Sequence, residues 1–148
     1  MSGLRVDGCP LCGEPGGRLV WAGSRLRVIH AGEADFPGFY RVVWSDHVAE
    51  FSGLSPADRA LCMEAVAIVE QTLLTHLAPT KINLAALGNM VPHLHWHVIA
   101  RFDCDSRFPS PVWASAQRDM DAARLAEVAS HLPAAESAMI ALLNARSF

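Results

Sequence analysis

Apolar and polar positions follow two different rhythms along this chain, and the switch between them outlines the fold. Leu19-Val-Trp21 and Arg25-Leu-Arg-Val-Ile-His30 are short strand-like runs around Gly23-Ser24, which predicts a hairpin. Phe39-Tyr-Arg-Val-Val-Trp44, rich in aromatic and β-branched residues, predicts a third strand. The rhythm then becomes helical: Leu61, Cys62, Ala65, Ile68, Val69, Thr72 and Leu73 recur on one side of a 3.6-residue period. Ser55 suits the N-cap of this long helix, Pro56 its first position, and Asp58 lies three residues past the cap. Pro79 stops it.

Lys81-Ile-Asn-Leu-Ala-Ala-Leu87 predicts a fourth strand, Gly88-Asn89 a turn, and His93 to Phe102 a fifth strand. The prolines of Phe108-Pro-Ser-Pro-Val-Trp113 predict an extended segment. From about Asp119 the helical rhythm returns, with Ala123, Leu125 and Val128, and Pro133 opens a further helix carrying Met139, Ile140, Leu142 and Leu143. Three strands, one long helix, two strands and then helices make an α+β chain with a five-stranded antiparallel sheet. We read residues 1–148 as one domain, with an irregular Cys-containing segment over 1–17 and a C-terminal helical extension over 114–148.

Composition narrows the function classes. With 51% hydrophobic and 18% charged residues the chain is a folded, not a disordered, sequence. A formal charge of −3 offers no basic footprint for nucleic acid. The only lysine is Lys81, so a polyanionic ligand is expected to be held by backbone amides and imidazoles rather than by a global field. Neither an apolar leader core nor a run of about 18 apolar residues is present, so a cytoplasmic protein without a membrane partner is expected. In that compartment Cys9, Cys12, Cys62 and Cys104 would not build a disulfide framework.

The candidate chemistry lies in Val91-Pro-His93-Leu-His95-Trp-His97-Val-Ile99. On a strand the side-chain period is 2, so His93, His95 and His97 share one face and Leu94, Trp96 and Val98 the other. Three readings are open. The face is a solvated strand surface, or a catalytic metal site built on a His-x-His pair, or it carries an imidazole nucleophile, which is active in its neutral form.

His93-Leu-His95-Trp-His97-Val-Ile99, preceded by Asn83…Gly88-Asn89-Met-Val-Pro, resembles the histidine triad signature, in which His alternates with hydrophobic residues. The resemblance runs back through Ser45-Asp-His47-Val and the Ser55-Pro56 helix start to Cys9 and Cys12, covering about 9–113. It implies a nucleotide-binding hydrolase or transferase, usually a homodimer, that cleaves nucleotide conjugates at the α-phosphorus through a covalent nucleotidyl-histidine. The bonds attacked would be phosphoanhydride or P–N bonds, and no organic cofactor is implied. His95 matches the nucleophile and His97 a phosphate contact. Asn83, Gly88 and Asn89 match nucleotide-binding positions. The chain departs from the family's usual Gln at Asn89 and small hydroxyl residue at Met90. It also has Ala31 where relatives often carry an acidic ribose ligand, with Glu33 and Asp35 nearby. The alternatives are a non-catalytic nucleotide-binding protein and a zinc-dependent hydrolase using the histidines as ligands.

The pair Cys9-Pro-Leu-Cys12 has the composition of half a structural zinc site, with His47 and His93 as the candidate third and fourth ligands. Some histidine triad relatives use that combination. The other reading is two free thiols in a loop. Trp113 is read as a core residue in preference to one that closes the site or sits at a dimer contact, Phe36-Pro-Gly-Phe39 as a packed loop or part of a base pocket, and His30, His76 and His131 as satisfied or surface residues.

Overall fold

Five antiparallel strands in the spatial order β1-β2-β3-β5-β4 form one sheet in the computed structural model, which describes residues 3–148. They are β1 (Arg18–Ala22), β2 (Leu26–His30), β3 (Phe39–Trp44), β4 (Lys81–Ala85) and β5 (His95–Arg101). The α+β class, the five strands and the long helix after the third are as the sequence rhythm predicts. The first two strands form the hairpin, closed by the Gly23 amide donating to the Leu26 carbonyl at 2.9 Å.

The long helix, here α2 (Pro56–Leu77), is capped as its sequence dictates: the Ser55 hydroxyl accepts from the Asp58 amide at 3.1 Å. It lies across β3 and β5 and is itself covered by the C-terminal helix. That double cover explains why its apolar residues spread around the helix instead of forming one stripe. By length and composition α2 would suffice to cross a bilayer, yet Cys62, Ala65, Val66, Val69 and Leu73 are buried in the core.

Two more helices, Ala122–Ser130 and Leu132–Asn144, complete the chain. The second packs on both α2 and β1. Glu136 pins it there, accepting from the Tyr40 hydroxyl at 2.8 Å and from Arg18. Burial, then Glu136, push the Tyr40 phenol well above its usual range, so it stays a neutral donor.

Three local expectations are corrected. Residues 10–13 of the segment read as irregular form one helical turn, α1 (Pro10–Gly13), because Pro10 sits at its first position and Leu11 is buried against Ile29 and Val43. The fourth strand ends at Ala85, not Leu87. The stretch 108–113 turns instead of extending. Backbone bonds from Ser110 to Arg107 and from Ala114 to Pro111 close turns along it. Its start is held by Asp105, a buried carboxylate that accepts from the Arg107 and Phe108 amides at 3.0 and 2.7 Å and from Arg101 Nε at 2.8 Å. Burial alone would raise its pKa, but Arg101 and these amides outweigh burial and hold the carboxyl below the usual range.

Candidate active site

The sheet carries α2 on one face and a cavity of about 480 Å³ on the other. Register builds that second face row by row. Val43 lies opposite His95, Arg41 opposite His97, and Ala85 flanks His97 from the other side. Pro10 and Leu11 of α1, the loop 87–91 and Trp113 complete the wall. Such a volume, mostly apolar with a few convergent polar groups, suits a small-molecule ligand.

The three histidines separate here. β5 begins at His95, so His93 precedes the regular strand. Its ring is buried, 1% exposed, and turned toward the N-terminal segment. Its Nε2–H donates to the Trp44 carbonyl at 2.6 Å, which leaves Nδ1 as the acceptor. That atom lies 3.5 Å from both Cys9 Sγ and Cys12 Sγ, while His47 Nδ1 lies 3.5 Å from Cys12 Sγ. The four ligand atoms all fall within 4.8 Å of one another. A tetrahedron with Zn–S of about 2.3 Å and Zn–N of about 2.05 Å has S···N edges of roughly 3.6 Å, so the donor set and spacing fit zinc. A ligating imidazole whose other nitrogen donates to a carbonyl is the usual arrangement for a metal-bound histidine. Arg27 ties this segment to β2, donating to the Leu11, Glu14 and Pro15 carbonyls.

His95 and His97 stay with the cavity. His95 Nδ1–H donates to the His93 carbonyl at 2.6 Å, so the lone pair sits on Nε2. His97 Nδ1 accepts from Arg41 Nε at 3.3 Å, so its proton sits on Nε2. Burial, the neighbouring His95 and the Arg41 charge together lower its pKa to about 4. One imidazole therefore presents a nucleophile and the next a neutral N–H donor. Gly88, at φ +80°, adopts a backbone conformation disfavoured for side-chain-bearing residues, and it lines the cavity together with Asn89.

Asn83 stands on the same sheet face, opposite Ile99, and its Oδ1 accepts from Arg101 at 2.8 Å; it does not line the cavity. Trp113, expected in the core, is 52% exposed and lines the cavity, edge-on to His97 at 5.1 Å between ring centroids. The turn closed by the Ala114 amide on the Pro111 carbonyl lies at this point of the chain. Arg41 was not singled out from sequence. The available signal was one arginine at a position sharing a face with Phe39 and Val43, in a strand otherwise aromatic and β-branched. It adds a guanidinium to the amides and imidazoles expected as local features that hold an anion.

The depressed pKa of His97 makes stability pH-dependent. The unfolded chain binds this proton near pH 6.5 and the folded chain only near pH 4. Stability contributed by neutral His97 is complete above pH 6.5, falls as pH drops toward 4, and levels off below. The full swing is at most on the order of 3 kcal/mol. Urea titrations of wild type and His97→Gln between pH 7 and 4 should show a shallower fall for the variant. Parallel curves would remove His97 as a source of the acid sensitivity.

The HIT domain sequence model matches residues 17–104, and the chain belongs to the histidine triad (HIT) family of nucleotide-binding hydrolases and transferases. A histidine triad protein from Bradyrhizobium japonicum is 26% identical, with a TM-score of 0.73 over 94% of this chain and 99% of its own. One from Sinorhizobium meliloti is 27% identical, with a TM-score of 0.65 over 84% and 96%. A zinc-bound family protein from Mycobacterium smegmatis, 16% identical, shares the fold at a TM-score of 0.61 over 94% and 98%. No curated protein matches this sequence.

Proposed function

We propose that this protein cleaves nucleotide conjugates at the α-phosphorus through a covalent nucleotidyl-histidine on His95, passing the nucleotidyl group to water or another acceptor. The observation that carries this reading is the 2.6 Å hydrogen bond from His95 Nδ1 to the His93 carbonyl. It sets the tautomer so that Nε2 attacks, and it stays satisfied when the ring becomes a charged nucleotidyl-imidazolium. His97 Nε2–H and the amides at Gly88 and Asn89 meet the non-bridging oxygens as charge builds there. Asn83, on the same sheet face but outside the cavity lining and with its Oδ1 bonded to Arg101, stays a further candidate nucleotide contact on the family resemblance alone. Rapid quenching with an α-labelled nucleotide tests the reading: label should appear on the protein. A non-catalytic nucleotide binder would retain nucleotide without acquiring it.

Cys9, Cys12, His47 and His93 would hold a structural zinc, which bound there supplies a rigid cross-link between the N-terminal segment and the sheet. The zinc-bound M. smegmatis relative supports that choice of metal. His95 and His97 lie outside this ligand group, which speaks against a zinc-activated hydrolase.

We further propose a cytoplasmic homodimer. β4 is an edge strand that carries the exposed Leu84, with exposed Leu87 just beyond its end, and such an edge favours pairing with a second chain. Light scattering should give about twice the 16.0 kDa chain mass. A monomeric mass at working concentration would sink the dimer.

A further inference from the structure

We infer that Arg41 makes this site selective for substrates whose leaving group departs as an anion, a phosphoanhydride or acyl phosphate, over substrates that must release an amine. The inference rests on the nucleotidyl-histidine reading and adds a specificity-determining residue to it.

Position comes first. Arg41 is the one Lys, Arg, Asp or Glu side chain among the described residues lining the cavity. Its Nε is occupied by His97 Nδ1, and its guanidinium lies over the Phe39 ring, 5.1 Å from the centroid. Nη1 and Nη2 make no hydrogen bond among the described residues. They form a planar pair of donors with the geometry of a phosphate or carboxylate clamp. Burial lowers the guanidinium pKa, with Glu33 opposing, so the charge is held partly desolvated. A cation kept in that state with unused donors is stabilised by a bound anion.

Chemistry then separates the leaving groups. As His95 Nε2 forms its bond to phosphorus, the bond to the leaving atom breaks and the electron pair departs with that atom. From an anhydride or acyl phosphate, the oxygen leaves as a phosphate or carboxylate anion and needs no proton. From a phosphoramidate, the nitrogen must take a proton to leave as an amine. Among the described residues lining the cavity, none is placed to supply one: His97 is neutral, the His95 Nδ1 proton is held by the His93 carbonyl, Arg41 does not deprotonate, and Asn89 is no acid. The Arg41 charge stabilises negative charge growing on a leaving oxygen and opposes positive charge on a leaving nitrogen. Through Nε, Arg41 also positions His97 by keeping its proton on Nε2.

The test compares diadenosine triphosphate, an acyl adenylate and an adenosine 5′-phosphoramidate as substrates for wild type, Arg41→Met and Arg41→Lys. Wild-type kcat/KM should favour the oxygen leaving groups by about 100-fold, and Arg41→Met should lose about 100-fold on them. Its loss on the phosphoramidate should be smaller by about tenfold or more. Arg41→Lys should recover part of the activity on oxygen leaving groups, since it restores charge without the planar fork. Loss on both oxygen substrates supports a general anion clamp, and loss on one identifies which anion it grips. A merely structural role would not move the His97 ring 15N signals, which should report Nε2–H in wild type and a mixture of tautomers in Arg41→Met.

Equilibrium binding keeps the two ideas apart, because it needs no chemistry. Wild type should bind ADP about tenfold more tightly than AMP, and Arg41→Met should lose that preference. An ADP preference without turnover supports Arg41 as the anion ligand and sinks the nucleotidyl-histidine reading. Turnover through His95 with a wild-type preference for the phosphoramidate, or with proportionate losses on all three substrates in Arg41→Met, overturns the inference about Arg41.

Discussion

His95→Gly is expected to lose about 10,000-fold or more in kcat/KM, while nucleotide binding and fold remain near wild type. The ring is half-buried at the cavity wall, not in the core, so its loss leaves the sheet packing intact. Its removal does delete the attacking atom, and His97 cannot substitute. His97 carries its proton on Nε2 and offers its Nδ1 lone pair to Arg41. Label from an α-labelled nucleotide should be trapped on the wild-type protein in an acid-labile, base-stable bond, and be absent from the variant. Two successive in-line displacements would retain configuration at a chiral phosphorothioate, whereas a single attack by metal-activated water would invert it. Inversion, or an active His95→Gly enzyme, would overturn the proposal even if the protein proved to be a nucleotide hydrolase.

Cys9→Ser and Cys12→Ser should each release the metal, found at about one zinc per wild-type chain, and lower the melting temperature. A destabilisation of about 4 kcal/mol, of the size that losing a metal site produces, corresponds to roughly 10 °C for a chain of this length. The reason is that α1 is a single turn, too short to persist alone. Beyond the metal cluster it is held by Leu11 packed on Ile29 and Val43 and by Arg27 bonding its carbonyls. Unseating it moves Pro10 and Leu11 out of the cavity wall, so KM should rise while kcat changes less. Atomic absorption and calorimetry on the same samples check this. Metal-free wild type from zinc-replete growth, with unchanged melting in both variants, would remove the zinc from the account.

How far the site could be read from the chain depends on the range of the interactions involved. Strand alternation, the Ser55-Pro56 cap and the regular spacing of His93, His95 and His97 are local properties, legible because each follows from backbone geometry within a few residues. They were enough for the α+β class, the strand order along the chain and the long helix. The same locality explains the errors. Proline content predicted an extended 108–113, but the buried Asp105 carboxylate holds the Phe108 amide, and backbone bonds from Ser110 to Arg107 and from Ala114 to Pro111 close turns along it. Trp113 looked like core by residue type, yet it stands edge-on to His97.

By itself, then, the sequence determined which residue types alternate on the candidate strand and that Cys9 and Cys12 form a pair of possible metal ligands. Tertiary structure decided how the three histidines divide. His93 meets cysteines 84 and 81 positions away in the chain, and no local period encodes that contact. It likewise decided that Arg41 faces His97, because the pairing register between β3 and β5 sets that neighbour 56 positions apart. A strand's own pattern says which side chains share a face. Which charges, carbonyls and thiols stand opposite them is settled only when distant segments pair and pack, since those contacts depend on register and burial and not on the period of either strand.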